Sequence, residues 1–244
     1  MKESAVLLLV NLARNNYSNR IQFAREGAVG PLVSFAQDDD NDHKTNAAIA
    51  LGILVYGCDA NRIEICQKGG IPPLIALVGT GTDQQKSQAA LALGNLASDN
   101  EANCAQIARD GGIAPLVALL KTGTDEQKCH AALVLGNLGS DNTANRTEIG
   151  REGGVAPLVE LVKSGTDQQK CYAALALGNL ASKNDANRAE IANSGGKVSL
   201  MVLVRSGSAS QKEWASRAVK KLSSSKVLKA KLSLRLRSLF PSLR

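Results

Sequence analysis

Between residues 103 and 142 the chain reads NCAQIARDGGIAPLVALLKTGTDEQKCHAALVLGNLGSDN, and apolar positions return at helical spacing in three successive segments. NCAQIARD predicts a short helix. Gly111-Gly112 ends it, because glycine accepts the left-handed backbone of a helix stop. IAPLVALLK predicts a second helix, in which Pro115 is tolerated near the start, where its missing N–H had no partner within the helix. DEQKCHAALVLGNLGS predicts a third and longer one. Thr124 caps it, and Gln127, three residues on, reaches back as the second half of a capping box. Within it Ala131, Ala132, Leu135 and Leu138 share one helical face and predict the packing side.

This three-part pattern returns every 42 residues without insertion. Gly27-Ala28 recurs as Gly69-Gly70, Gly111-Gly112, Gly153-Gly154 and Gly195-Gly196, and Pro31 as Pro73, Pro115 and Pro157. Asn19, Asn61, Asn103, Asn145 and Asn187 keep the step, as do Asn95, Asn137 and Asn179. The capping box returns as Thr82/Gln85, Thr166/Gln169 and Ser208/Gln211, which explains GTGTD at 79–83 better than a phosphate cradle does. A period of this length predicts a solenoid, with a long surface built from one face of every unit in place of a single deep cleft. The expected organisation is all-α over 1–223. A partial repeat at 1–16 is followed by repeats near 17–58, 59–100, 101–142, 143–184 and 185–223, and then by a tail at 224–244.

Composition narrows the function. Hydrophobic residues make up 44% of the chain and aromatics only 3%, which suits small side chains interdigitating between close helices. No apolar run reaches the ~18–20 residues that span a bilayer. The N-terminus does not read as a secretory signal, and Lys2 stands where myristoylation would need glycine. The five cysteines, Cys58, Cys66, Cys104, Cys129 and Cys171, lack C-x-x-C spacing and read as packing thiols in a reducing compartment. His43 and His130 have no ligand set around them and read as helix-surface or groove residues. No metal, cofactor or catalytic constellation recurs at workable spacing, so an enzyme is not expected.

The net charge of +7 invites a nucleic-acid or membrane reading until it is located. Lys226, Lys229, Lys231, Arg235, Arg237 and Arg244 supply six of those charges, leaving residues 1–225 at +1. In the tail Leu228, Ala230, Leu232, Leu234 and Leu236 alternate with polar residues, a strand-like period of two. The tail is either an unstructured end or a basic segment that touches an acidic membrane, nucleic acid or a partner's sheet edge.

The runs GGI-x-P-L-V-x-L-L, A-L-x-L-x-N-L-A and D-N-x-x-N-R resemble the armadillo repeat family over residues 1–223. HEAT repeats, the nearest competitor, lack the short first helix behind a Gly-Gly stop. The resemblance implies a right-handed superhelix whose third helices line the concave face, where an Asn ladder holds an extended peptide. Matching positions are Asn11, Asn95, Asn137 and Asn179, with Ile53 and Lys221 interrupting the ladder. A carboxamide both donates and accepts, so it can grip a peptide backbone. Alternatively, these Asn side chains lock repeats together through a neighbouring backbone. One turn before them stand Leu7, Ile49, Leu91, Leu133 and Leu175, where importin alpha typically carries Trp. One turn after come Asn15, Gly57, Asp99, Asp141 and Lys183, so the groove reads as acidic in its middle and basic toward its end. Gln88, His130, Tyr172 and Trp214 fall one turn earlier still.

The wording of the repeats is closest to vacuolar armadillo scaffolds, without their lipidated N-terminus. The implied function is a non-enzymatic scaffold, cytoplasmic with the nucleus as a second expected compartment, that binds a protein or peptide and takes no small-molecule substrate. The alternatives are a nucleic-acid or membrane adaptor working through residues 226–244 and an importin-alpha-like nuclear import adaptor. Val6, Leu9, Val10 and Leu12 are expected to lack cover, so self-association through the N-terminal helix is a further expectation.

Overall fold

The computed structural model of the protein describes residues 2–140 and 142–224, with side chains from residue 5 onward. Among the described residues regular structure is helical throughout, with sixteen helices: one opening third helix and then five triplets. The short first helices are α2 (Tyr17–Arg25), α5 (Asp59–Gln67), α8 (Glu101–Arg109), α11 (Thr143–Arg151) and α14 (Asp185–Asn193). Second helices are α3 (Val29–Phe35), α6 (Ile71–Thr80), α9 (Ile113–Thr122), α12 (Val155–Ser164) and α15 (Gly196–Ser206). Third helices are α1 (Lys2–Ala13), α4 (Asn41–Val55), α7 (Asp83–Ala97), α10 (Asp125–Leu138), α13 (Asp167–Leu180) and α16 (Ala209–Ser223). The third helices pack side by side in chain order, α1 on α4 and so on to α16, with the second helices behind them.

Local chemistry sets each boundary. First helices end where Gly27, Gly69, Gly111, Gly153 and Gly195 turn left-handed, with φ between 74° and 81°. All four expected capping boxes form, on α7, α10, α13 and α16. Their glutamines do more than cap. Each is buried, and its Nε2 donates to a backbone carbonyl 44 residues earlier: Gln85 to Asn41 at 3.0 Å, Gln127 to Asp83 at 2.9 Å, Gln169 to Asp125 at 2.8 Å and Gln211 to Asp167 at 3.0 Å. One side chain thus starts a helix and ties it to the third helix before it. The first-helix asparagines are a second set of ties, with Asn61, Asn103 and Asn145 donating to Leu54, Leu96 and Leu138 at 2.8–3.0 Å.

The third helices are buried over more than the expected face. Besides Ala131, Ala132, Leu135 and Leu138, the structure buries Cys129, Val134 and Gly136, because α10 is flanked by α7 and α13 and backed by α9. Close approach explains the mid-helix glycines: a Cβ on Gly94 would stand 3.1 Å from Leu133 Cδ2 of the next third helix.

The N-terminal expectation needs correction. Val6 and Val10 are not uncovered; they are buried, with Val6 7% and Val10 5% exposed, on the side where α1 packs against α4. The exposed leucines of α1 are Leu7, Leu8 and Leu12. Residues 225–244, and with them the alternating tail, lie outside the described residues.

Candidate functional site: the third-helix face

Asn95, Asn137 and Asn179 stand half-buried on α7, α10 and α13, and each donates its Nδ2 to a glycine carbonyl of the preceding third helix. The distances are 3.0 Å to Gly52, 3.2 Å to Gly94 and 2.9 Å to Gly136. Inter-helix locking is therefore real, and it holds every amide of the row in one orientation. The Oδ1 atoms of Asn95 and Asn137 receive no donor among the described residues, whereas that of Asn179 accepts Lys221 Nζ at 3.0 Å. Asn11, on α1, is exposed.

The neighbours divide into three sections. In the middle, Leu91, Leu133 and Leu175 are half-buried, and Asp99 is exposed just beyond α7 in a left-handed backbone conformation with φ of 50°. Asp141 lies outside the described residues. A cavity of about 310 Å³ opens here between Ala97, Asp99, Glu101, Cys104 and Asn137. Sequence reasoning missed it, although a signal existed. Cys104 occupies the position held by Arg20, Arg62, Arg146 and Arg188 in the other units. Arg20, Arg146 and Arg188 each donate to the carbonyl seven residues earlier, while Cys104 reaches its counterpart, Ala97, through a shorter Sγ at 3.2 Å.

Toward the C-terminus, Trp214, Lys220 and Lys221 line a cavity of about 410 Å³ with Leu175 and Asn179. Arg217 lies over the Trp214 ring at 4.7 Å and pairs with Glu213 at 2.8 Å. Tyr172 is half-buried, with its hydroxyl 3.3 Å from Gln168 Nε2, and Lys183 is exposed with φ of 51°. His130 is tied to the preceding third helix, its Nδ1 meeting the Ser87 carbonyl at 3.0 Å. Burial holds its pKa below the ordinary histidine value, against the opposing pull of that bond and of Glu126.

Toward the N-terminus, Ile49 and Ile53 replace the Leu/Asn pair, and with Leu91, Asn95, Arg14 and Arg20 they line a cavity of about 300 Å³. Burial raises the pKa of the Cys66 and Cys171 thiols. Burial pushes the Cys129 thiol up to about 11, with smaller contributions from Glu126 and Cys171, and a thiol that stays protonated is inert.

The family model described as Armadillo/beta-catenin-like repeat matches residues 58–98 and 142–182. Among solved structures, an engineered protein from the Northeast Structural Genomics Consortium is 29% identical, with a TM-score of 0.85 covering 91% of this chain and 90% of that one. A designed armadillo repeat protein is 23% identical, with a TM-score of 0.84 covering 90% of this chain and 92% of that one. Another designed armadillo repeat protein, solved in complex with the peptide (KR)4, is 23% identical at a TM-score of 0.80, covering 90% and 92% of the two chains. No curated protein matches the chain by sequence.

Proposed function

Since the chain belongs to the armadillo repeat family, we propose that it is a non-enzymatic scaffold that holds an extended segment of a partner protein along its third-helix face. One observation carries this reading. Each ladder asparagine spends one N–H on the neighbouring helix, and Asn95 and Asn137 keep their carbonyl oxygens without a donor among the described residues. A carboxamide has two donors and two acceptor lone pairs, so one tie leaves capacity for a peptide's N–H and C=O. Because the tie has already fixed the rotamer, little side-chain entropy is lost on binding.

Charge selects the segment. The central cavity has Asp99 and Glu101 on its wall and a cysteine where other units place an arginine, so it suits a Lys or Arg side chain of the bound peptide. The peptide (KR)4 carried by one designed relative is in keeping with that choice.

Panning the full chain against a displayed library of random 12-residue peptides tests the proposal. The expected outcome is enrichment of Lys or Arg, with side-chain amide signals of Asn95 and Asn137 shifting in NMR spectra when an enriched peptide is added. Enriched peptides that shift only residues of the first and second helices would overturn it.

A further inference from the structure

The N-terminal unit lacks a carboxylate that three of the four other units carry, as Asp59, Glu101 and Asp185. Arg62 pairs with Asp59, and Arg188 with Asp185 at 2.8 Å, each three residues earlier on its own helix. At the matching position before Arg20 stands Tyr17. Arg20 is 8% exposed and makes no ion pair among the described residues. Its guanidinium lies 5.8 Å from the centroids of both Tyr17 and Tyr56, Nη1 donates to the Ala13 carbonyl at 3.2 Å, and the buried Nε has no partner. Arg62 and Arg146 share the unpartnered Nε. Arg62 has the Asp59 carboxylate and Arg146 donates Nη2 to the Thr143 hydroxyl at 2.7 Å, whereas Arg20 has no side-chain acceptor among the described residues.

A buried cation without a counter-ion is costly, and a carboxylate in fork geometry with a guanidinium relieves that cost. Arg20 lines a cavity of about 300 Å³ together with Arg14, Ile49, Ile53 and Leu91, and no acidic residue is among its walls. The cavity therefore offers a cationic corner beside an apolar wall.

We propose that this cavity is a subsite for an Asp or Glu side chain of the bound segment, with a neighbouring apolar residue seated against Ile49, Ile53 and Leu91. The inference rests on the reading of the third-helix face as a peptide site and supplies the partner's chemistry at one end of it. Taken with the acidic cavity around Asp99, it assigns the partner a mixed sequence, acidic-apolar at the end bound near α4 and basic where it crosses α10.

The test uses the full chain with isoleucine methyl labelling and two capped dipeptides, N-acetyl-Leu-Glu-amide and N-acetyl-Leu-Gln-amide. The Ile49 and Ile53 methyl signals should follow the Glu probe with a Kd about tenfold lower than for the Gln probe. Tyr17→Asp restores the internal pair that Arg62 and Arg188 enjoy, so it should fold and should abolish the preference for Glu. Tyr17→Asn, which supplies no charge, should retain it. Equal affinity for the two probes, no shift at Ile49 and Ile53 with either, or a Glu preference that survives Tyr17→Asp would overturn the inference. The dipeptide engages this subsite alone, so failure of the asparagine ladder would leave the titration intact. Conversely, long peptides that bind the ladder while the dipeptides show no Glu preference would defeat only the subsite.

Discussion

The N-terminal and central sections of the third-helix face share a frame and differ in chemistry. Gln85 and Gln127 make the same capping box and the same tie to the helix before, and Asn61 and Asn103 make the same bond back to a leucine carbonyl. On that common backbone, Ile53 stands in one section where Asn95 and Asn137 stand beyond it, and Arg20 in one where Cys104 stands in the other. The result is a cationic apolar cavity near α4 and an acid-rimmed one between α7 and α10. In this molecule the positions that repeat hold the frame, and the positions that depart from the repeat set the charge and polarity of each section.

If the frame is common, breaking it should cost the same in both sections. Gln85→Ala and Gln127→Ala each remove a cap and strand buried partners, so each should destabilise by about 1–3 kcal/mol. For a chain of this size that lowers Tm by about 2–4 °C per kcal/mol. Unequal losses by calorimetry would break the comparison at its base.

Converting one section toward the other gives the next largest effect. Cys104→Arg places a guanidinium within reach of the Ala97 carbonyl, as Arg20, Arg146 and Arg188 reach theirs, with Glu101 three residues before it as a partner. Thermal stability should hold, while affinity for a basic 12-residue peptide selected on the native chain should fall about tenfold, equivalent to about 1.4 kcal/mol. Unchanged affinity would show that the central cavity takes no basic side chain.

Ile53→Asn extends the ladder in the opposite direction. By analogy with Asn95, its amide should reach the carbonyl of Val10, 43 residues earlier. One added neutral hydrogen bond to a groove peptide is worth about 0.5–1.5 kcal/mol, a gain of a few-fold in affinity measurable by fluorescence anisotropy. A loss of affinity would mean that the isoleucine already contributes more than an amide can.

The smallest effect is a pH slope confined to the centre. His130 is held neutral by burial while its ring bonds to Ser87, and the N-terminal counterpart is Gln88. Its folded pKa lies below the ordinary value of about 6.5, so the unfolded chain binds the proton more readily than the folded one. The contribution is complete above that value and is lost as pH falls through it toward the folded pKa. His130→Gln should flatten the slope of stability against pH in this window; an unchanged slope would place it elsewhere.

The period, the helix stops at the glycines and the four capping boxes were legible in the sequence because each is a local backbone device with its own residue signature. Contacts between units were less so. The glutamine ties and the glycine carbonyls that hold the asparagine row span 43 or 44 residues, and composition carries no trace of them. Reading Val6 and Val10 as uncovered treated α1 as an open end, when α4 covers one of its faces. The register that His130 shares with Tyr172 and Trp214 gave no sign that its ring bonds to the previous third helix. The two cavities did have a signal, in Tyr17 and Cys104 as the departures of the chain from its own repeat.

The central claim is that the asparagine row reads a peptide backbone in addition to joining helices. Replacing Asn95, Asn137 and Asn179 together by Ala, and measuring both the Kd for a selected 12-residue peptide and the thermal unfolding of the same sample, separates the two roles. Each lost neutral hydrogen bond is worth about 0.5–1.5 kcal/mol, so the account predicts a Kd at least about tenfold higher for the triple variant at a temperature where it is fully folded, alongside a lower unfolding midpoint from the three lost ties. Peptide affinity unchanged in a chain that unfolds early would show that these asparagines serve only as ties between helices.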